Sequence, residues 1–150
     1  MHSIPVKRID VLTRSRLVTV SADALLVDVA NVLSDTHFSL VVICDPDGVM
    51  VGVITKTNIV QQIGRSCASL GTTLASDVMT RNVTSCRHND SLSDVLSMME
   101  KSSFVHIPVV DENSKPIGVV NAGDALRTMI ADEKYEAALL RDYVMGIGYR

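Results

Sequence analysis

The sequence predicts an α+β fold of two β-α-β-β-α units related by pseudo-twofold symmetry, with a C-terminal helix after them. Three observations carry that prediction. The chain is written twice: "IDVLTR" at 9–14 returns as "SDVMTR" at 76–81, and an offset of 66 holds for the whole of 24–60 against 90–126. Under that offset Leu26, Asp28, Val29, Phe38, Asp45, Gly52 and Val53 meet Leu92, Asp94, Val95, Phe104, Asp111, Gly118 and Val119. Each copy holds one apolar stripe at helical spacing, followed by two short and almost uniformly apolar β runs. A period this long is unlike the usual solenoids, and two copies suggest a closed pair rather than an open array.

The elements follow in order. A β segment at 17–20, and again at 83–86, leads to a polar cap, Asp23 in copy one and Asp90 or Ser91 in copy two. Leu26, Val29, Ala30 and Leu33 then recur as Leu92, Val95, Leu96 and Met99, both at i, i+3, i+4, i+7, one face of a helix. "SLVVICD" with "VMVGVIT", and "FVHIPVVD" with "PIGVVN", read as strand pairs joined by the hairpin-like "DPDG" and "ENSK". Runs this apolar need cover on at least one face. Second helices close the copies at 56–63 and 122–131, and the Gly-, Ser- and Thr-rich 64–75 reads as the linker. The expected divisions are 9–65, 76–131 and a helical tail over 132–150. In that tail Tyr135, Leu139 and Tyr143, at i, i+4, i+8 with Ala138 beside them, form an amphipathic stripe that needs a partner.

Composition narrows the function. At 150 residues the chain suits one domain with a real core, and with no Trp, two Phe and three Tyr that core must be Val, Leu, Ile, Ala and Met. A net charge of −3 gives no footprint for nucleic acid, and few aromatics are available to stack on bases. No apolar run approaches the ~20 residues that span a bilayer, and 1–10 lack the apolar core of a secretory signal. Cys44, Cys67 and Cys86 are odd in number and form no CxxC pair, which points to a reducing cytoplasm rather than a disulfide framework or a zinc site. His2, His37, His88 and His106 have no metal-ligand spacing, and neither a nucleophile–base pair nor a P-loop or GxGxxG is present. The expectation is a protein that is not an enzyme and requires no cofactor.

"DVMT" at 77–80, "FVHIPVVDE" at 104–112, and the paired "GVITKTN" and "GVVNAGD" resemble the CBS domain family, in which a tandem pair forms a Bateman module. The resemblance covers roughly 9–131, and two motifs correctly placed in one repeat are far more specific than either alone. It implies repeats packed through their sheets, a homodimer, and an adenosyl ligand (AMP, ADP, ATP, or a relative such as NAD or S-adenosylmethionine) held between the repeats as a signal. It also allows a regulated enzyme or transporter in trans, while the charge and the lack of a spanning apolar run point to neither nucleic acid nor membrane as partner.

By match to the family motif, Asp124 and Asn121 would take ribose and phosphate in copy two, and Asn58 and Thr55 would do so in copy one. A carboxylate at Asp124 can accept from both hydroxyls of a ribose, and charge strengthens those bonds. Copy one departs from the pattern by carrying Asn58 where the stronger acceptor would stand, and copy two by carrying Asn121 in place of a hydroxyl residue. If one site works, the one with Asp124 is favoured. Each residue also has a plain structural reading: Asp124 suits a first helical turn, Thr55 and Asn121 suit caps, and Lys56, within reach of a phosphate, suits a solvated helix start. His106 stands where the family often carries a basic residue near phosphate, and it also fits a half-exposed structural histidine. Pro108 marks an edge or irregular strand position that frees a backbone group for a base; family likeness adds the backbone groups of Thr19 and Thr84. The alternative is a CBS-pair scaffold with decayed sites that works by dimerising or docking.

Overall fold

In a computed structural model that describes residues 3–149, without the side chains of Tyr143 and 145–149, the apolar runs pair as two hairpins of identical register. β2 (Leu40–Cys44) and β3 (Met50–Thr55) run antiparallel from Leu40 opposite Thr55 to Ile43 opposite Gly52. β4 (His106–Val110) and β5 (Pro116–Asn121) do the same from His106 opposite Asn121 to Val109 opposite Gly118. Both registers slip at the equivalent place, after Ile43 and after Val109. The turns match as well. Asp45 Oδ1 accepts from the N–H groups of Asp47 and Val49, and Asp111 Oδ1 from those of Asn113 and Lys115, so the aspartates at the ends of the β runs are turn formers.

The helical stripes are buried as their spacing requires. In α2 (Leu26–Thr36) Leu26, Val29 and Leu33 are buried, and in α5 (Leu92–Ser102) Leu92, Val95 and Met99. Both helices end on a left-handed residue, His37 at φ 60° and Ser103 at φ 62°. Their starts differ from expectation in one copy. Ser91 caps α5 by accepting from the Asp94 N–H, but Asp23 caps nothing. The first N–H groups of α2 are satisfied instead by the Thr73 and Leu70 carbonyls, so no side-chain acceptor is needed there.

Those two carbonyls belong to the linker that leads into the other copy, and the exchange is mutual. The segment before copy one, a 3-10 turn at Val6–Ile9 and then α1 (Asp10–Ser15), packs on copy two: Ile4, Val6 and Ile9 share a core with Leu92, Val95 and Ile107, and the Ile4 carbonyl accepts from the Leu92 N–H. The segment before copy two, α4 (Ala75–Val78) with Met79 and Thr80, packs on copy one beside Leu26, Ile54 and Ile59. Gly52 and Gly118 permit these crossings. A Cβ at Gly118 would lie 2.8 Å from Thr13 Cβ, and one at Gly52 would lie 2.8 Å from the Thr80 carbonyl oxygen. Between the copies, Leu40, Val42, Val53 and Val119 form a third cluster at the seam.

Two expectations are corrected. β1 (Thr19–Ser21) pairs in parallel with β2, but the segment expected at 83–86 reduces to a single bridge between Cys86 and Val109. Pro108 is the reason: in copy one the Val42 N–H donates to the Val18 carbonyl, and the proline at the equivalent position has no N–H to donate to Thr84. Between the copies, α3 (Lys56–Ser66) runs into a 3-10 turn at Cys67–Ser69 and α4 starts at Ala75. The helix expected at 122–131 and the helical tail expected over 132–150 are one, α6 (Ala122–Tyr149), whose 28 residues extend about 42 Å. No helix among the described residues is long and apolar enough to cross a membrane, and Cys44, Cys67 and Cys86 are free thiols.

Candidate ligand clefts between the repeats

Each hairpin ends where a helix begins, and each such junction faces the start of the other repeat's hairpin. The first cleft, about 490 Å³, sets Thr55, Lys56 and Asn58 of copy one against Ser103, Phe104 and His106 of copy two. The second, about 190 Å³, sets Asn121 and His106 of copy two against His37, Ser39 and Leu40 of copy one, with Arg16 in its wall. The two are counterparts under the 66-residue offset. A narrow crevice lined by Thr84, Pro108, His106 and Phe104 lies beside them. The fold thus gathers most of the candidates, but Thr19, on exposed β1, and Asp124 line neither cleft.

The junction residues are already bonded. Thr55 and Asn58 cap α3 reciprocally: Thr55 Oγ1 accepts from the Asn58 N–H at 3.2 Å, and Asn58 Oδ1 accepts from the Thr55 N–H at 2.9 Å and from its hydroxyl at 3.0 Å. Asn121 Oδ1 accepts from the Asp124 N–H at 3.1 Å, so Asn121 caps α6. That bond fixes the amide's orientation and points its NH₂ at His106 Nε2, 3.0 Å away. The imidazole nitrogen therefore accepts, which makes His106 neutral with its proton on Nδ1. Burial, and then the nearby Arg16 charge, hold its pKa below the ordinary histidine value.

Asp124 is 4% exposed and sits in the first turn of α6. Its carboxylate is gripped by two arginines that the motif gave no sign of. Arg16 forks onto it, Nε to Oδ2 and Nη2 to Oδ1, the latter at 3.0 Å. Arg127 Nη2 donates to Oδ1 at 2.7 Å. These donors, the Arg16 bonds first, hold the carboxyl below the usual carboxylate range, and the same contact raises the Arg16 pKa. The two arginines approach from different sides. Arg16 lines the second cleft, whereas Arg127 and Asp124 itself line an outer groove with Arg8, Leu12 and Tyr135. Arg127 lies at i+3 from Asp124 on α6, a spacing visible in sequence. Arg16 lies 108 residues away, and no local pattern announces it.

Comparison with known proteins settles the family: the CBS domain model matches residues 6–65 and 75–131, and the chain belongs to that family. A CBS-domain containing protein of Agrobacterium tumefaciens is 30% identical, with a TM-score of 0.73 over 83% of this chain and 92% of that one. The CBS-pair protein CBSX2 of Arabidopsis thaliana shares the fold at 18% identity, with a TM-score of 0.77 over 89% of this chain and 99% of that one. CBSX2 has also been solved with AMP, and the CBS domain pair of protein MJ0100, 22% identical to this chain, with 5-methylthioadenosine and S-adenosyl-L-methionine. Among curated proteins, the homoserine O-acetyltransferase of Methanobrevibacter ruminantium is 24% identical over 75% of this chain, which spans only 22% of that enzyme's length.

Proposed function

We propose that this CBS pair is a non-catalytic regulatory module that holds an adenine nucleotide between its repeats and reports occupancy through a change of shape or assembly. The observation that carries the reading is the pair of clefts. Each joins one repeat's strand-to-helix junction to the other repeat's hairpin start, so an occupant touches both repeats and favours one arrangement of them. Such a ligand acts only through its difference in affinity between two arrangements, and a tenfold difference supplies ~1.4 kcal/mol. Asn121 and His106, with Asp124 behind Arg16, would serve ribose and phosphate at one cleft, and Thr55, Lys56 and Asn58 at the other. The Thr84 carbonyl, relieved of its ladder bond by Pro108, would serve the base. Likeness to a CBS pair solved with AMP supports this reading. The long α6 exposes apolar side chains on two faces, Tyr135 and Leu139 on one and Leu140 and Val144 on the other, and is the element through which a second copy, or a regulated enzyme or transporter, would be engaged.

A second reading has its own support. Thr55, Asn58, Asn121 and Asp124 all have hydrogen-bond partners without a ligand, as a scaffold with decayed sites requires. Thermal unfolding against AMP, ADP, ATP, NAD and S-adenosylmethionine separates the two. At one hundred times its Kd a ligand of the folded state adds ~2.7 kcal/mol, a rise of about 5–10 °C at this chain length. No rise with any of the five would leave the scaffold.

A further inference from the structure

The clasp on Asp124 decides what the second cleft can accept. The Asp124 side chain is 5% exposed, that of Arg16 31%, and only the arginine lines the cleft wall. The guanidinium thus stands between the cleft and the carboxylate, and both carboxylate oxygens are spent on it. Arg127, whose side chain is 70% exposed, holds Oδ1 from the outer groove and has no reason to move when the cleft fills. The remaining wall of this cleft, from His37 to Asn121, contains no carboxylate. A guanidinium pushed off Asp124 therefore finds no second anion in the protein wall.

We infer that Arg16 is a latch that makes the second cleft selective for phosphorylated nucleosides. From this cleft a ribose reaches Asp124 only by displacing the guanidinium, and the displaced guanidinium needs an anion carried by the same ligand. A neutral nucleoside would leave a cation unpaired in a half-closed cleft, which is costly. A nucleotide supplies diol and phosphate together, and a guanidinium binds phosphate through the planar fork it now offers Asp124. The inference rests on the proposed adenosyl reading and adds its selectivity and its route outward. Arg16 ends α1, which packs on copy two, and lies three residues before β1 of copy one. Release of the latch consequently acts on a stretch of chain that crosses between the repeats.

Calorimetric titration of the full chain with AMP and with adenosine tests this, in wild type, Arg16→Gln, Arg16→Lys and Arg127→Gln. Wild type should bind AMP roughly tenfold or more tightly than adenosine, the order expected of one charge-assisted contact. In Arg16→Gln that ratio should fall to near unity. Arg16→Lys, which keeps charge but not the fork and is the gentler change if the glutamine variant folds poorly, should retain part of it. Arg127→Gln should keep the wild-type ratio. An unchanged ratio in Arg16→Gln, or an equal collapse in Arg127→Gln, would overturn the latch while leaving nucleotide binding in place. If no variant binds either probe, both the adenosyl reading and the latch fall.

Discussion

His106 shows how one residue's surroundings set a measurable property. Its Nε2 accepts from Asn121, and burial with Arg16 nearby keeps it neutral. A histidine whose folded pKa is lowered contributes stability that is present above its unfolded value, about 6.5, and lost as pH falls through the folded one. Wild type should therefore lose more Tm between pH 7.5 and 5 than His106→Gln. Equal losses would place the titrating group elsewhere. The repeat supplies a second residue-scale prediction. Gly48 and Ser114 occupy the same turn position, both left-handed, at φ 84° and φ 61°. Ser114 carries a Cβ cost there that Gly48 avoids, so Ser114→Gly should stabilise by about 0.5–1 kcal/mol, seen as a raised denaturation midpoint with unchanged slope.

At the scale of elements, the crossed leaders are the feature most exposed to test. Gly118 lets α1 lie against β5, and a Cβ there meets Thr13 Oγ1 at 2.7 Å and its backbone carbon at 3.0 Å. Gly118→Ala should cost about 1–3 kcal/mol as overpacking. Trimming the neighbour in Gly118→Ala with Thr13→Ala should recover little, because the Thr13 backbone remains in the way. Full recovery in the double variant would mean that α1 shifts freely and that the close approach is unimportant. The hairpins, their turns and the buried stripes were legible in the sequence because each rests on local periodicity and on turn residues. The leaders were not: "IDVLTR" repeats visibly, but nothing local states that it packs on the other copy. The missing strand in copy two had its signal in Pro108, whose absent N–H was read for ligand access rather than for strand loss. At the site the motif residues could be named, whereas Arg16 could not, since its contact with Asp124 exists only once α1 has crossed over.

For the molecule as a whole, the unanswered demand is what α6 does beyond the repeats. From Leu126 the helix carries Ile130, Ala137, Leu140 and Val144 at alternating spacings of three and four, broken at Glu133, and all four of its larger apolar members are about half or more exposed. That spacing matches the seam of a two-stranded coiled coil, with β-branched residues and leucines in the alternating places a parallel pair favours. A second copy of the chain, presenting the same seam, is therefore the partner we propose, and occupancy of the clefts would reach it through the first turns of α6, where Asp124 sits. Leu140→Glu and Val144→Glu together remove apolar surface that a single chain does not bury, so the monomer should lose no more than ~0.5 kcal/mol. In a dimer they place charge in the seam. Sedimentation should then show the double variant as a monomer at concentrations where wild type is a dimer, with Tm dependent on protein concentration in wild type alone. If wild type sediments as a monomer throughout, the seam does not join copies of this chain.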